Sequence, residues 1–228
     1  MMTETNANVS DNNSNSNRLC SRMDSLPCPT ETMEKLSEVK VKNHGVGDFL
    51  VKSKTEAYDF DKYAASFANE HNLGSRGERR TPCSPDAVHL DKMNDIVYFI
   101  EFKNDSVGEF KDNQFVFNRN GNKNNRGEDY ELQIYRKFVE AFIMLMADGH
   151  LTFDDGRESV VCMLVVKQGK NSNDRVMRLD RFARRVRNIQ QFSILKPLSG
   201  FLFNNVTVVT DRVFDSNTIQ QMLKGIIK

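Results

Sequence analysis

The chain has 228 residues, 39% of them hydrophobic, with 32 Lys and Arg against 31 Asp and Glu and a formal net charge of +1. That length supports one substantial core, and the balanced charge excludes nucleic-acid binding through the overall field, so any basic surface has to be local. No apolar run reaches the roughly 18 residues of a membrane span, and the opening residues lack the basic and apolar regions of a leader.

Residues 1–45 are rich in Asn, Ser and Thr and hold few large apolar side chains before "MEKLSEVKVK", too few to offset the entropy of ordering. They are expected to form a disordered tail, with room for a short helix or strand at its end, and residues 46–228 to form the domain. After Thr55, the stripe Phe60, Tyr63, Ala64, Phe67 and Ala68 has helical spacing, ended by Gly74. Two strand-like runs follow, 86–90 and 96–103, joined by the polar turn "DKMND" as a hairpin. Residues 104–127 read as a long polar loop carrying Lys111, Arg119, Lys123 and Arg126, either a substrate clamp or a plain insertion. An amphipathic helix is predicted over 129–147, closed by Asp148-Gly149. A strand at 159–166, a helix near 175–190, strands around 201–203 and 206–209, and a last helix from about 216 complete the chain. This order describes an α/β (α+β) fold, a central mixed sheet flanked by helices on both faces.

Along 96–103, Val97, Phe99, Glu101 and Lys103 share one face while Ile96, Tyr98, Ile100 and Phe102 take the other. Both faces are apolar, as in a central strand covered on both sides. A carboxylate at the end of such a run is costly to bury unless it is paired, hydrogen-bonded or bound to a metal. The hairpin brings Asp86 back beside Glu101. Two carboxylates and one Lys at a shared corner invite Mg²⁺ or Mn²⁺, although a strand-end salt bridge between Glu101 and Lys103 accounts for the pair as well.

Pro85-Asp86, a spacer and Glu101-Phe102-Lys103 together resemble the active-site signature of the PD-(D/E)xK nuclease superfamily, over roughly residues 55–167. The triplet itself is common: Glu38-Val39-Lys40 and Glu109-Phe110-Lys111 repeat it, and only Glu101 ends an apolar strand preceded by Pro-Asp. The resemblance implies a restriction-endonuclease-like core of helix, three strands, helix and strand, with "GERRTP" supplying the first strand. It implies a metal-dependent nuclease that hydrolyses phosphodiester bonds of nucleic acid, DNA ahead of RNA, with Mg²⁺ (or Mn²⁺). Asp86, Glu101 and the backbone carbonyl of Phe102 would be metal ligands and Lys103 the catalytic lysine. Glu70 would be an acidic member from the first helix, with Glu78 and Glu56 as rivals, and Gln133, Tyr135 or Lys137 would join from the helix after the strand.

Blander readings stay open beside these: Glu70, Gln133 and Lys137 also suit solvated helix faces, and Tyr135 simple packing. Arg76, Arg79 and Arg80, just before Asp86, are placed to meet a phosphate backbone. Arg175, Arg178, Arg181, Arg184, Arg185 and Arg187 suit either a phosphate-binding or a solvated helix face. His44, His71, His89 and His150 lack metal-ligand spacing, and no P-loop or Gly-x-Ser-x-Gly elbow is present. Four cysteines without a Cys-x-x-Cys pair suit a reduced compartment, so a cytoplasmic (intracellular) protein with no membrane partner is expected. A catalytically inactive binding or assembly module on the same fold is the alternative, and a homodimer is open to either.

Overall fold

The computed structural model describes residues 18–39, 48–73, 81–111, 114–117, 130–171 and 196–216. Arg76, Glu78, Arg79, Arg80, Arg119, Lys123, Arg126 and the Arg-rich stretch 175–187 lie outside them.

The chain enters the core well before residue 46. Helix α1 (Leu19–Met23) buries Leu19, Cys20 and Met23, and its first backbone N–H groups donate to the Asp95 carboxylate, at 3.1 Å from Leu19 and 2.9 Å from Cys20. Strand β1 (Thr30–Thr32) leads into the short helix α2 (Met33–Leu36), where the Thr32 hydroxyl accepts from the Lys35 N–H and Met33 is fully buried. Strands β2 (Glu38–Val39) and β3 (Asp48–Phe49) form a small ladder of their own. Over residues 18–39 the expected tail is therefore corrected: average composition there is polar, yet Leu19, Cys20, Met23, Leu26 and Met33 supply enough apolar surface to seat this stretch.

Strand β4 (Glu56–Asp59) runs directly into α3 (Phe60–Glu70), whose N-cap Asp59 accepts from the Lys62 N–H. All of the expected stripe, Phe60, Tyr63, Ala64, Phe67 and Ala68, is buried. The helix stops short of Gly74 because Asn72 turns into left-handed backbone, φ 50°. Strands β5 (Ala87–Asp91) and β6 (Ile96–Lys103) form the expected hairpin; the Asp91 carboxylate accepts from the Met93 and Asn94 N–H groups and Asp95 takes φ 56°. Within the expected loop lies a second hairpin, β7 (Gly108–Lys111) with β8 (Gln114–Phe117). Helix α4 (Tyr130–Ala147) follows, then α5 (Phe153–Ser159), which starts at a capping box between Thr152 and Asp155. Strand β9 (Val160–Val166), the turn-long α6 (Gln168–Asn171), β10 (Asn205–Thr210) and α7 (Asp211–Ser216) complete the described chain. Near 201–203, Phe203 makes a single bridge to Ser199 where a strand was expected.

Six strands form one mixed sheet in the order β1-β4-β5-β6-β9-β10. The first four neighbours are antiparallel, whereas β6, β9 and β10 run parallel. Every residue of β9 is buried, as is all of β6 except Lys103 at its end, matching central strands covered on both faces. Phe99 stacks near Phe60 of α3 with ring centres 6.2 Å apart, while Phe102, on the opposite face, meets Phe214 of α7 at 5.9 Å. Helices thus cover both faces. The flank of β5 departs from the expected core: the neighbouring strand is β4, which precedes α3, and residues 81 and 82 of "GERRTP" are irregular. No helix among the described residues is long and apolar enough to cross a membrane.

Candidate functional site

Parallel pairing aligns the carboxyl ends of β6, β9 and β10, with Lys103 opposite Val166 and the Lys167 N–H donating to the Lys103 carbonyl at 3.1 Å. In open sheets with parallel strands, this edge is where ligands gather. Antiparallel register delivers Asp86 to the same edge: Ala87 lies opposite Ile100, so the residue before it falls beside Glu101.

Glu101 is fully buried. Lys137 Nζ, from α4, donates to its Oε2 at 2.8 Å and sits 3.7 Å from Asp86 Oδ1. Lys103 Nζ lies 2.7 Å from Glu101 Oε1. That contact is an ion pair without hydrogen-bond alignment, so Oε1 is a buried acceptor with no hydrogen bond among the described residues. Asp86, with 23% of its side chain exposed, accepts the Phe102 N–H on Oδ2 at 2.7 Å. Burial, and then the neighbouring Glu101 charge, push the Asp86 carboxyl up to about 7. Burial works against the charge on Lys137, but the Glu101 and Asp86 carboxylates outweigh it and hold the ammonium above its ordinary range.

An extended residue presents its N–H and C=O on one edge of the strand. Phe102 turns its N–H to Asp86, beyond the last pairing of β5, so its carbonyl faces that same unpaired edge. The loop before β5 is clamped from two helices: the Cys83 N–H donates to Glu140 Oε2 at 2.6 Å, and the Ser84 hydroxyl to Asp61 Oδ1 at 2.5 Å. Glu140 is in turn paired with Arg136. A cleft of about 250 Å³ adjoins this cluster, lined by Leu36, Ser37, Glu38, Leu50, Asp86, Phe102, Lys103, Asn104 and Asp105.

Asp86, Glu101, Phe102, Lys103 and Lys137 are therefore brought together, and Glu70 is not. Glu70 is exposed and accepts the Ser66 hydroxyl at 3.0 Å. The acid that α3 turns toward the cluster is Asp61 in its first turn, whose charge also acts on Lys137; Glu70 is about 14 Å further along the axis at 1.5 Å per residue and half a turn around it. Nothing in the sequence separates Asp61 from the acids that commonly open a helix. Of the rivals, Glu56 is exposed on β4, with its carbonyl against the His89 ring. Gln133 is half-buried one turn before Lys137 and gives no hydrogen bond to Asp86 or Glu101 among the described residues. Tyr135 packs on the core.

The Asp86 and Glu101 carboxylates, the latter with its Oε1 met only by the Lys103 ion pair, and a carbonyl on a strand edge beyond the last β5 pairing are hard oxygen donors, and they fit a divalent cation that keeps part of its water shell. No group of three or more His, Cys, Asp or Glu side chains placed to hold a metal occurs among the described residues, which leaves the three-acid set with Glu70 without support. Comparison with family models, with curated proteins and with solved structures yields no match.

Proposed function

We propose that the chain is a metal-dependent phosphodiester hydrolase acting on nucleic acid, DNA ahead of RNA, on a restriction-endonuclease-like variant of the α/β sheet. The observation that carries this reading is the meeting of Asp86 and Glu101 at the carboxyl edge of β6, each under a lysine, with Asp86 pushed up to about 7. A magnesium or manganese ion would be held by Asp86, Glu101 and the Phe102 carbonyl, where it would lower the pKa of a bound water and neutralise charge growing on the phosphate. Lys103 keeps a cation in the lining of the cleft, where it would orient the attacking water and balance the phosphate oxygens. Lys137 neutralises Glu101 and Asp86 when no metal does, so the site tolerates burial before loading. Asp61 and Glu140 fix the loop that carries Asp86 and so set its reach.

That double neutralisation also favours a second reading, a nuclease-fold binding or assembly module whose lysines replace the metal altogether. Calorimetric titration with Mg²⁺ and Mn²⁺ separates the two. The enzyme reading expects binding that Asp86→Asn abolishes, and cleavage of a mixed DNA and RNA panel that Lys103→Ala reduces by roughly a hundredfold or more. Absence of both metal binding and cleavage by the folded protein favours the module.

A further inference from the structure

We propose that the cleft beside Lys103 seats one unpaired nucleotide, making single-stranded nucleic acid or a frayed end the substrate class; the proposal rests on the hydrolase reading above. Size is the first argument. At about 250 Å³ the cleft falls just below the range of pockets that enclose a drug-sized molecule, roughly 300–1,000 Å³, a size that suits a ligand of about one nucleoside unit.

The walls supply the second. Leu36 from α2, Leu50 after β3 and Phe102 from β6 are apolar, as the face of a base requires. The third argument is polar and selective. The Ser37 hydroxyl is consumed, donating to the Glu34 carbonyl and accepting from the Val51 N–H. The side chains of Glu38 and Asn104 make no hydrogen bond or ion pair among the described residues and line the same space. A carboxylate accepts from the amino edge of a base, and an amide both accepts and donates.

Charge then orients the ligand. Lys103 is the single cation of the lining, and Glu38 is an acid with no ion-pair partner among the described residues. A phosphate is favoured beside Lys103 and disfavoured beside the Glu38 carboxylate, so a seated nucleotide places its phosphate at Lys103 and its base toward Glu38. Leaving a stacked duplex costs energy that an unpaired base does not pay.

The test uses the full chain and a fluorescein-labelled DNA oligonucleotide, as a single strand and as its blunt duplex. Fluorescence anisotropy in EDTA at low salt is expected to give about tenfold tighter binding of the single strand. Glu38→Ala, at an exposed position that leaves the core untouched, is expected to erase most of that ratio, and Leu50→Trp, which fills the cleft, to erase it where the variant still melts cooperatively. Equal binding of the two forms, preference for the duplex, or an unchanged ratio in Glu38→Ala overturns the proposal. The two readings fail separately: Mg²⁺-dependent cleavage without strand preference removes the nucleotide seat and keeps the hydrolase, whereas single-strand preference without any cleavage removes the hydrolase and keeps the seat.

Discussion

Burial and the Glu101 charge disfavour the charge on Asp86, while Lys137, Lys103 and the Phe102 N–H favour it, and burial with Glu101 wins. A carboxyl whose folded pKa is raised from 3.8 to about 7 stabilises the fold most below pH 4, and that contribution disappears as pH climbs to about 7. Between those values the folded chain keeps a proton that the unfolded chain has released. In EDTA, the melting temperature of the wild type relative to Asp86→Asn is expected to fall from pH 4 to 7 and then level off; a constant difference across that window counts against the assignment. Lysine removal should be asymmetric. Lys137 makes a hydrogen bond to Glu101, whereas Lys103 makes only an unaligned ion pair. Urea melts of Lys137→Ala should lose up to about 3–5 kcal/mol, as when a buried pair is broken, and Lys103→Ala less. Mg²⁺ should restore part of the Lys137→Ala loss, because a second cation then answers the same carboxylates; equal losses in the two variants would speak against this division. The trio Asp86, Glu101 and Lys103 was legible because a two-residue period and one hairpin determine it. Asp61 and the choice of Lys137 over Gln133 depend on how α3 and α4 lie across the sheet, which no local spacing encodes.

Among the elements, the β5–β6 turn has two duties. It closes the hairpin, and through Asp95 it caps α1, a helix too short to persist without tertiary partners. Asp95 has φ 56°, so two substitutions separate its roles. Asp95→Gly relaxes the backbone and removes the cap, with an expected loss of about 0.5–2 kcal/mol; Asp95→Ala removes the cap and adds left-handed strain of roughly 1–2 kcal/mol more. Denaturant melts that rank Ala as stable as Gly would show that the left-handed backbone carries no cost there. The elements most visible from sequence were α3, β6, α4 and β9, whose periods are long and whose burial follows them. The hairpin β7–β8 escaped although "QFVF" alternates, with Phe115 and Phe117 buried and Val116 exposed. Four residues among Asn, Asp and Gly give too short a run to outweigh the loop composition around it.

For the molecule as a whole, the main revision concerns where the fold starts. Polar composition suggested that the first 45 residues stand apart, and averages of that kind hide sparse anchors. Leu19, Cys20, Met23, Leu26 and Met33 are all buried in one core with Phe60, Phe99 and Phe203. Each large apolar side chain so buried contributes about 1.5–3 kcal/mol, comparable together with the entire margin of stability of an ordinary domain. Restarting the chain at residue 46 is therefore expected to abolish cooperative unfolding by calorimetry; an unchanged melt would place these residues outside the stabilising core.

Strand β1 spans Thr30–Thr32 and pairs with β4 along the outer margin of the sheet. Its loss would do more than weaken the fold. The N–H and C=O groups of β4 that β1 satisfies would become an open template, ready to recruit a strand from another copy. Proteolysis between β1 and β4 would thus change the protein's solubility as well as its stability, giving edge-to-edge association whose rate rises with concentration.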